Sequence, residues 1–355
     1  MLKSLHLKNF TVFPGATFNF GKNLNVIVGE NGLGKTHVLK AAYCILAVSA
    51  RGSRDTGAAN PTKGYLQIAI ASKLRGVFKP DEIGRLARRQ AGRNRCEVES
   101  HFAGRRPSLF PGSRLDVSFS FNTSSRSEVT IDQMPSEWSE EVPIYLPTRE
   151  LLTISPGFVA LYDSTHLQFE ETWRDTALLL EAPLARGARE ARIRELIGPI
   201  EEAMGGWVEE DPSGRFYLRT KTGRFEIHLV AEGLRKLAMI ARLIATGSLL
   251  DKGYLFWDEP NANLNPKLLK LVARTILSVA QSGVQVFIAT HNLFLLRELY
   301  VLQSEDFRGI EAQCFGLHAK GSGVEVTQGA TIDDIGDITS LDEELEQSDR
   351  YLETA

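Results

Sequence analysis

Cysteine is scarce in this sequence, and the three present, Cys44, Cys96 and Cys314, stand far apart in 355 residues. An odd, widely spaced set gives neither a disulfide framework nor a zinc-ligand spacing, so a reducing, cytosolic setting is expected. Long apolar runs are missing too. No stretch approaches the roughly 18 residues that mark a membrane-spanning helix, and no membrane partner is expected. The opening Met1-Leu2-Lys3-Ser4-Leu5-His6-Leu7 alternates like a strand and carries no apolar signal-peptide core. Excess charge is absent: the net value is −3, so bulk charge speaks neither for nor against a nucleic-acid partner, and local charge must decide. No internal repeat is evident. What remains is ordinary, with 43% apolar and 24% charged residues in a chain long enough for a large packed core.

Strand and helix patterns alternate. Leu5, Leu7 and Phe10 alternate with polar residues, and Asn23–Val28 reads as an apolar strand. Val38, Leu39, Ala42, Ile45 and Leu46 recur at helical spacing, predicting a helix over 35–50. Residues 51–64 read as a flexible loop, 65–142 as a basic helical stretch followed by strands, and 144–195 as a short strand followed mainly by helix. A hairpin is predicted around Lys221-Thr222-Gly223 and a long helix over about 233–249. After them come a strand at Tyr254–Trp257, a helix at Pro266–Gln281 and a strand at Val284–Ala289. Such alternation predicts an α/β fold with a parallel sheet.

Gly29-Glu30-Asn31-Gly32-Leu33-Gly34-Lys35-Thr36 fits the pattern G-x-x-x-x-G-K-[ST] between an apolar strand and a helix. That context suits phosphate. Glycines let backbone N–H groups wrap phosphate oxygens, and a helix N-terminus adds a favourable dipole. Gly29, Asn31, Gly32, Gly34, Lys35, Thr36 and His37 are therefore candidate nucleotide contacts. Lys35 is expected to reach the β- and γ-phosphates, and the Thr36 hydroxyl to coordinate Mg²⁺.

Tyr254-Leu255-Phe256-Trp257-Asp258-Glu259 is an apolar strand ending in two acids. Asp258 at the strand end suits the Mg²⁺ shell, and Glu259, one residue on, suits polarising an attacking water. His291 follows the next buried strand and is a candidate γ-phosphate sensor, because ligands of such sheets bind beyond the strand ends.

The order phosphate loop, Asp258-Glu259-Pro260, Thr290-His291 resembles the ABC-type ATPases. With Leu5-His6-Leu7-Lys8-Asn9-Phe10 and Asn261-Ala262-Asn263-Leu264-Asn265-Pro266 it is most similar to the branch holding RecF, SMC proteins, OLD-family nucleases and ATPase subunits of anti-phage systems. The resemblance covers roughly residues 1–50 and 228–300. It implies a P-loop NTPase fold of ABC-ATPase type, a mixed or parallel sheet flanked by helices, with a helical lobe. It also implies ATP and Mg²⁺ as cofactors, and two heads sandwiching two nucleotides. Glu232 and Gly233, in Ala231–Lys236, stand where such ATPases carry the signature that grips the partner's γ-phosphate. That segment lacks the serine of transporter-type signatures. Pro147-Thr148-Arg149-Glu150 occupies the place of the glutamine-bearing hinge, without a glutamine. One ATPase domain over 1–355 is expected: a phosphate-loop subdomain at 1–50, an insertion at 51–142, a helical lobe and hairpin at 143–232, the signature to His-switch region at 233–330, and an acidic tail at 331–355.

Thr36 and Asp258 lie 222 residues apart (258 − 36), which leaves room for inserted structure. Some of it is basic, with Lys73, Arg75, Lys79, Arg85, Arg88, Arg89, Arg93 and Arg95, then Arg105 and Arg106, against Asp81 and Glu82. Two readings stand: a footprint for nucleic-acid phosphates, centred on Arg85, Arg88, Arg89, Arg93 and Arg95, or a solvated or acid-pairing face. The tail is acidic, and Ser340-Leu341-Asp342-Glu343 matches a capping box. Leu341, Leu345 and Leu352 could line a narrow apolar stripe there; a solvated helix and a docking element are the alternatives. The expected function is a homodimerising ATPase that controls a separately encoded effector, a nuclease or toxin, in bacterial defence. A RecF-like ATPase that grips duplex DNA is the alternative, and a transporter nucleotide subunit fits less well. Without long coiled-coil arms, SMC-like tethering is not expected.

Overall fold

The computed structural model describes residues 1–89, 94–103, 113–165, 167–187, 190–250 and 253–354, the last without the side chains of 339–341. In chain order the elements are β1 (Leu2–Phe10), β2 (Phe13–Asn19), β3 (Leu24–Gly29), α1 (Lys35–Thr56), α2 (Lys63–Phe78), β4 (Arg95–Phe102), β5 (Val117–Asn122) and β6 (Thr130–Gln133). Then follow β7 (Pro143–Leu146), α3 (Ser155–Ser164), α4 (Glu171–Leu180), α5 (Glu190–Met204), β8 (Gly206–Glu210), β9 (Phe216–Thr220), β10 (Gly223–Glu226), α6 (Glu232–Ala245), β11 (Tyr254–Asp258) and α7 (Pro266–Gln281). The last are β12 (Gln285–Thr290), α8 (Leu293–Glu305), β13 (Ala312–Lys320), β14 (Gly323–Gly329) and α9 (Thr339–Thr354). The α/β class expected from the alternation is the class observed.

The chain forms two compact units, which cut across the five sequence-based segments. The first holds residues 1–143, 287–293 and 311–355. It contains an antiparallel sheet in the order β2-β1-β4-β5-β6 and the strand run β14-β13-β3-β12. β13 lies parallel to β3, with Gly316 opposite Val28, and antiparallel to β14. Every residue of β3 is buried, as a central Val-Ile-Val strand requires. Phe13, Phe18, Phe20, Phe287 and Phe315 form one ring cluster, with neighbouring centroids 4.9 to 6.2 Å apart.

Helix α1 corrects one expectation. It runs to Thr56, where a flexible loop was expected from residue 51. Gly52 lies within the helix, and the Trp138 ring needs the space its missing side chain leaves: a Cβ there would stand 2.1 Å from that ring. The helix stops at Gly57, whose left-handed backbone (φ 64°) lets its N–H bond back to Ser53.

The second unit holds residues 144–286 and 294–310. β7 and β11 are neighbours in it, and β10-β9-β8 form a small antiparallel sheet around the predicted hairpin turn. Helix α6 buries nine successive residues, Lys236 to Ile244. Helix α7 starts as its sequence dictates: the Asn265 side chain accepts from the Leu268 N–H, and Pro266 takes the first position.

Candidate nucleotide site

In the first unit, β3 delivers the chain into a loop whose backbone only glycine accepts easily. Gly32 and Gly34 have φ of +86° and +91°. A Cβ on Gly34 would also fall 2.7 to 2.9 Å from Val12 and the Phe13 ring. Gly34 ends the loop and is the N-cap of α1, which begins at Lys35. A glycine loop feeding a helix start is the geometry that presents N–H groups to an anion. Lys35 is only 6% exposed, and its Nζ donates to the carbonyl oxygens of Gly29 (2.7 Å) and Glu30 (3.1 Å). The ammonium therefore sits inside its own loop, where a phosphate would meet it. Asn31 and Gly32 are exposed, and Thr36 half-buried.

His37 turns away from the loop. Its Nδ1 meets the Thr11 hydroxyl at 3.0 Å and its ring leans on Phe78. Its side chain is thus engaged with Thr11 and Phe78. His291 follows the buried Thr290, whose hydroxyl accepts from the Asn292 N–H at 3.1 Å. β12 is the neighbour of β3, so His291 and the phosphate loop follow adjacent strands of this unit.

In the second unit, β11 is buried throughout and ends on Asp258, 7% exposed, with the Tyr145 hydroxyl 3.5 Å from its Oδ2. The next residue, Glu259, has φ +45°. A left-handed glutamate is uncommon and costs on the order of 1–3 kcal/mol unless its surroundings impose it. The loop behind it ends with Asn263, also left-handed (φ +63°), and reaches α7 through Asn265.

Glu232 and Gly233 open α6, but within this chain both are engaged with that loop. Asn263 donates to the Glu232 carboxylate at 2.8 Å, and a Cβ on Gly233 would stand 2.8 Å from the Asn263 carbonyl oxygen. Glu150 is buried, accepts from Thr153 and pairs with Arg235 at 2.8 Å. The hinge candidate and the signature candidate are thus joined by an ion pair that the sequence alone did not reveal.

Sequence reading also passed over Lys236. It is 2% exposed, and its ammonium donates to the carbonyl oxygens of Glu259 (3.0 Å), Thr148 (3.2 Å) and Ala262 (3.3 Å). Burial pulls its pKa down to about 8, opposed by the charges of Glu259, Asp258 and Glu232. At neutral pH it is still mostly protonated and keeps three donors. The one available signal was a lysine heading the buried run of α6.

The basic segment does not form one helical face. Helix α2 ends at Phe78. Lys73 is buried with its ammonium 5.2 Å from the Tyr43 ring centroid. Arg88 is turned inward and donates to the hydroxyl and carbonyl oxygens of Ser322, which corrects its reading as a surface contact. Arg85 pairs with Asp81 at 3.2 Å and Arg95 with Asp132 at 2.7 Å. Arg89 is exposed. Arg93, Arg105 and Arg106 lie outside the described residues, as do the side chains of Ser340 and Leu341. Among the described residues no cluster of histidine, cysteine and acidic side chains could hold a metal by itself, and no helix is long and apolar enough to cross a membrane.

The sequence was compared with known proteins. Residues 120–297, half of the chain, match the family described as "AAA domain, putative AbiEii toxin, Type IV TA system", and residues 4–137 match a second AAA-domain family. "DNA replication and repair protein RecF" of Clostridium kluyveri is 36% identical over 76 residues, 21% of each chain. RecF of Geobacillus kaustophilus is 31% identical over 112 residues, 31% of this chain and 29% of that one. The matches thus span less than a third of these relatives. Among solved structures, an SMC head bound to the C-terminal winged-helix domain of ScpA has a TM-score of 0.54 at 14% identity, covering 94% of this chain and 98% of that one. An SMC head with an extended coiled coil, bound to the C-terminal domain of ScpA derived from Pyrococcus furiosus, has a TM-score of 0.50 at 15% identity, covering 99% and 98%. At such identities these two speak for the fold alone. Taken with the phosphate loop and the acidic strand end, the family match makes the chain a member of the AAA-domain family described as "AAA domain, putative AbiEii toxin, Type IV TA system", with the ABC-ATPase fold that SMC heads share.

Proposed function

We propose that this chain binds and hydrolyses Mg-ATP, that ATP brings two copies together head to head, and that the assembly controls a separately encoded nuclease or toxin in bacterial defence. The observation that carries the nucleotide reading is the phosphate loop: left-handed glycines, a helix that starts directly after them and a buried Lys35 held inside the loop. That donor set fits a polyphosphate. In this reading the loop N–H groups and Lys35 bind the β- and γ-phosphates. Thr36 and Asp258 would hold Mg²⁺, whose chemistry is to neutralise phosphate charge. Glu259 orients the attacking water, and His291 donates to the γ-phosphate as charge develops on it. Glu232 and Gly233, with the Asn261–Asn265 loop, would face the partner head. The placing in bacterial defence draws on the family's description, "putative AbiEii toxin, Type IV TA system".

The test is the light-scattering mass of the Glu259→Gln variant with and without Mg-ATP, alone and with the product of the neighbouring gene. An ATP-dependent doubling supports the head-to-head pair, and a heavier joint peak supports the effector. An unchanged mass removes the pairing, and failure to bind ATP removes the whole reading.

A RecF-like grip on duplex DNA is the second reading, favoured by the local identity to proteins named for DNA repair. Arg85, Arg89 and Arg95 are its exposed candidates among the described residues. Salt-dependent binding lost on neutralising Arg85 and Arg89 would support it; binding that ignores those changes would reject it.

A further inference from the structure

Lys236 is held in a way that simple burial of a surface cation does not explain. An ammonium has three N–H donors, and three carbonyl oxygens accept from this one: Glu259, Ala262 and Thr148. Two of them belong to the turn after β11, and the third to the segment after β7. Among the described residues no carboxylate within hydrogen-bonding distance shares the ammonium, although Asp258, Glu259 and Glu232 supply the nearby negative charge. The turn so gripped contains a glutamate at φ +45°. Such a backbone persists only where the surroundings over-determine it. Here the overdetermination is visible: the lysine bonds the carbonyl of Glu259 itself and the carbonyl three residues later, which fixes both ends of the turn. Thr148 fixes the lysine in its own place.

We propose that Lys236 is a positioning residue, which holds the Glu259 backbone in its left-handed turn and so sets where the Glu259 carboxylate stands to orient the water that attacks the γ-phosphate. The inference rests on the ATPase reading above, and it concerns the hydrolytic step, leaving nucleotide affinity to the phosphate loop. A positioned carboxylate displaced by about 1 Å loses on the order of a hundredfold in rate, so the effect is large enough to measure.

The experiment compares the full chain with Lys236→Met and Lys236→Arg, each alone and combined with Glu259→Gln. Three readouts are taken: single-turnover ATP hydrolysis, ATP affinity by titration with a fluorescent analogue, and thermal melting. Lys236→Met is expected to lose on the order of a hundredfold in turnover while its ATP affinity stays within about twofold. Lys236→Arg keeps the charge but has a planar fork in place of the three-pronged ammonium, and it is expected to lose about tenfold. Neither change should lower turnover further in the Glu259→Gln background, because residues that act as a unit are not additive. Turnover within about twofold of wild type in a folded variant overturns the proposal. So does a parallel loss of affinity and turnover, or an additive loss in the double variant. Should Lys236→Met fail to fold, Lys236→Arg decides alone. If the wild-type chain binds ATP but never hydrolyses it, the ATPase reading and the positioning role fall together. If it hydrolyses ATP and only the variant comparison fails, the positioning role falls alone.

Discussion

The two compact units each hold a buried lysine, Lys35 in the first and Lys236 in the second, and the two are held differently. Lys35 donates to Gly29 and Glu30, at most six residues back in the chain. Lys236 donates to Thr148, Glu259 and Ala262, as far as 88 residues away. The first arrangement is written into one loop and travels with it as a motif. The second exists only once β7, α6 and the turn after β11 have assembled. Phosphate binding should therefore tolerate distant changes that hydrolysis does not.

The sharpest way to separate the halves is Glu259→Gln. Hydrolysis is expected to fall by on the order of a thousandfold while ATP binding survives, measured by phosphate release and by analogue titration. Lys35→Ala should do the converse, removing tight binding, with a loss of on the order of a hundredfold in affinity measured by the same titration. Stripping Mg²⁺ with a chelator is expected to stop hydrolysis in the wild type; turnover that persists would detach Thr36 and Asp258 from a metal role.

Smaller effects probe how each half is built. Gly34→Ala forces a Cβ against Val12 and Phe13 at a left-handed position, and a loss of about 1–3 kcal/mol is expected in denaturant unfolding. Asn265→Ala removes the cap of α7 and should cost about 1 kcal/mol in the same experiment. If the Asn265 change also slows hydrolysis, the turn after β11 is less rigid than its clamp suggests.

Much of this was legible from residue order. The helix expected at Pro266–Gln281 is α7, and the strand expected at Val284–Ala289 is β12 to within a residue, because starts and turns are decided by neighbours in sequence. The phosphate loop was legible for the same reason. Trp138 could not be matched to Gly52 in advance, so α1 was expected to end near residue 50. Arg88 read as belonging to a basic face because its partner, Ser322, lies 234 residues away. Lys236 read as one more charge in a helix start. In each case the deciding partner was distant, and spacing along the chain carries no trace of it.

In the role proposed for Glu259, its left-handed backbone sets stability against activity. Glycine occupies that conformation freely and asparagine at a reduced cost, while glutamate bears the strain. A chain selected only for robustness would gain by giving up the acid at position 259, and one selected for turnover must keep it. Glycine or asparagine variants there should thus lose hydrolysis and be among the more heat-resistant, so a hardy inactive copy of this protein is the easier one for mutation to reach.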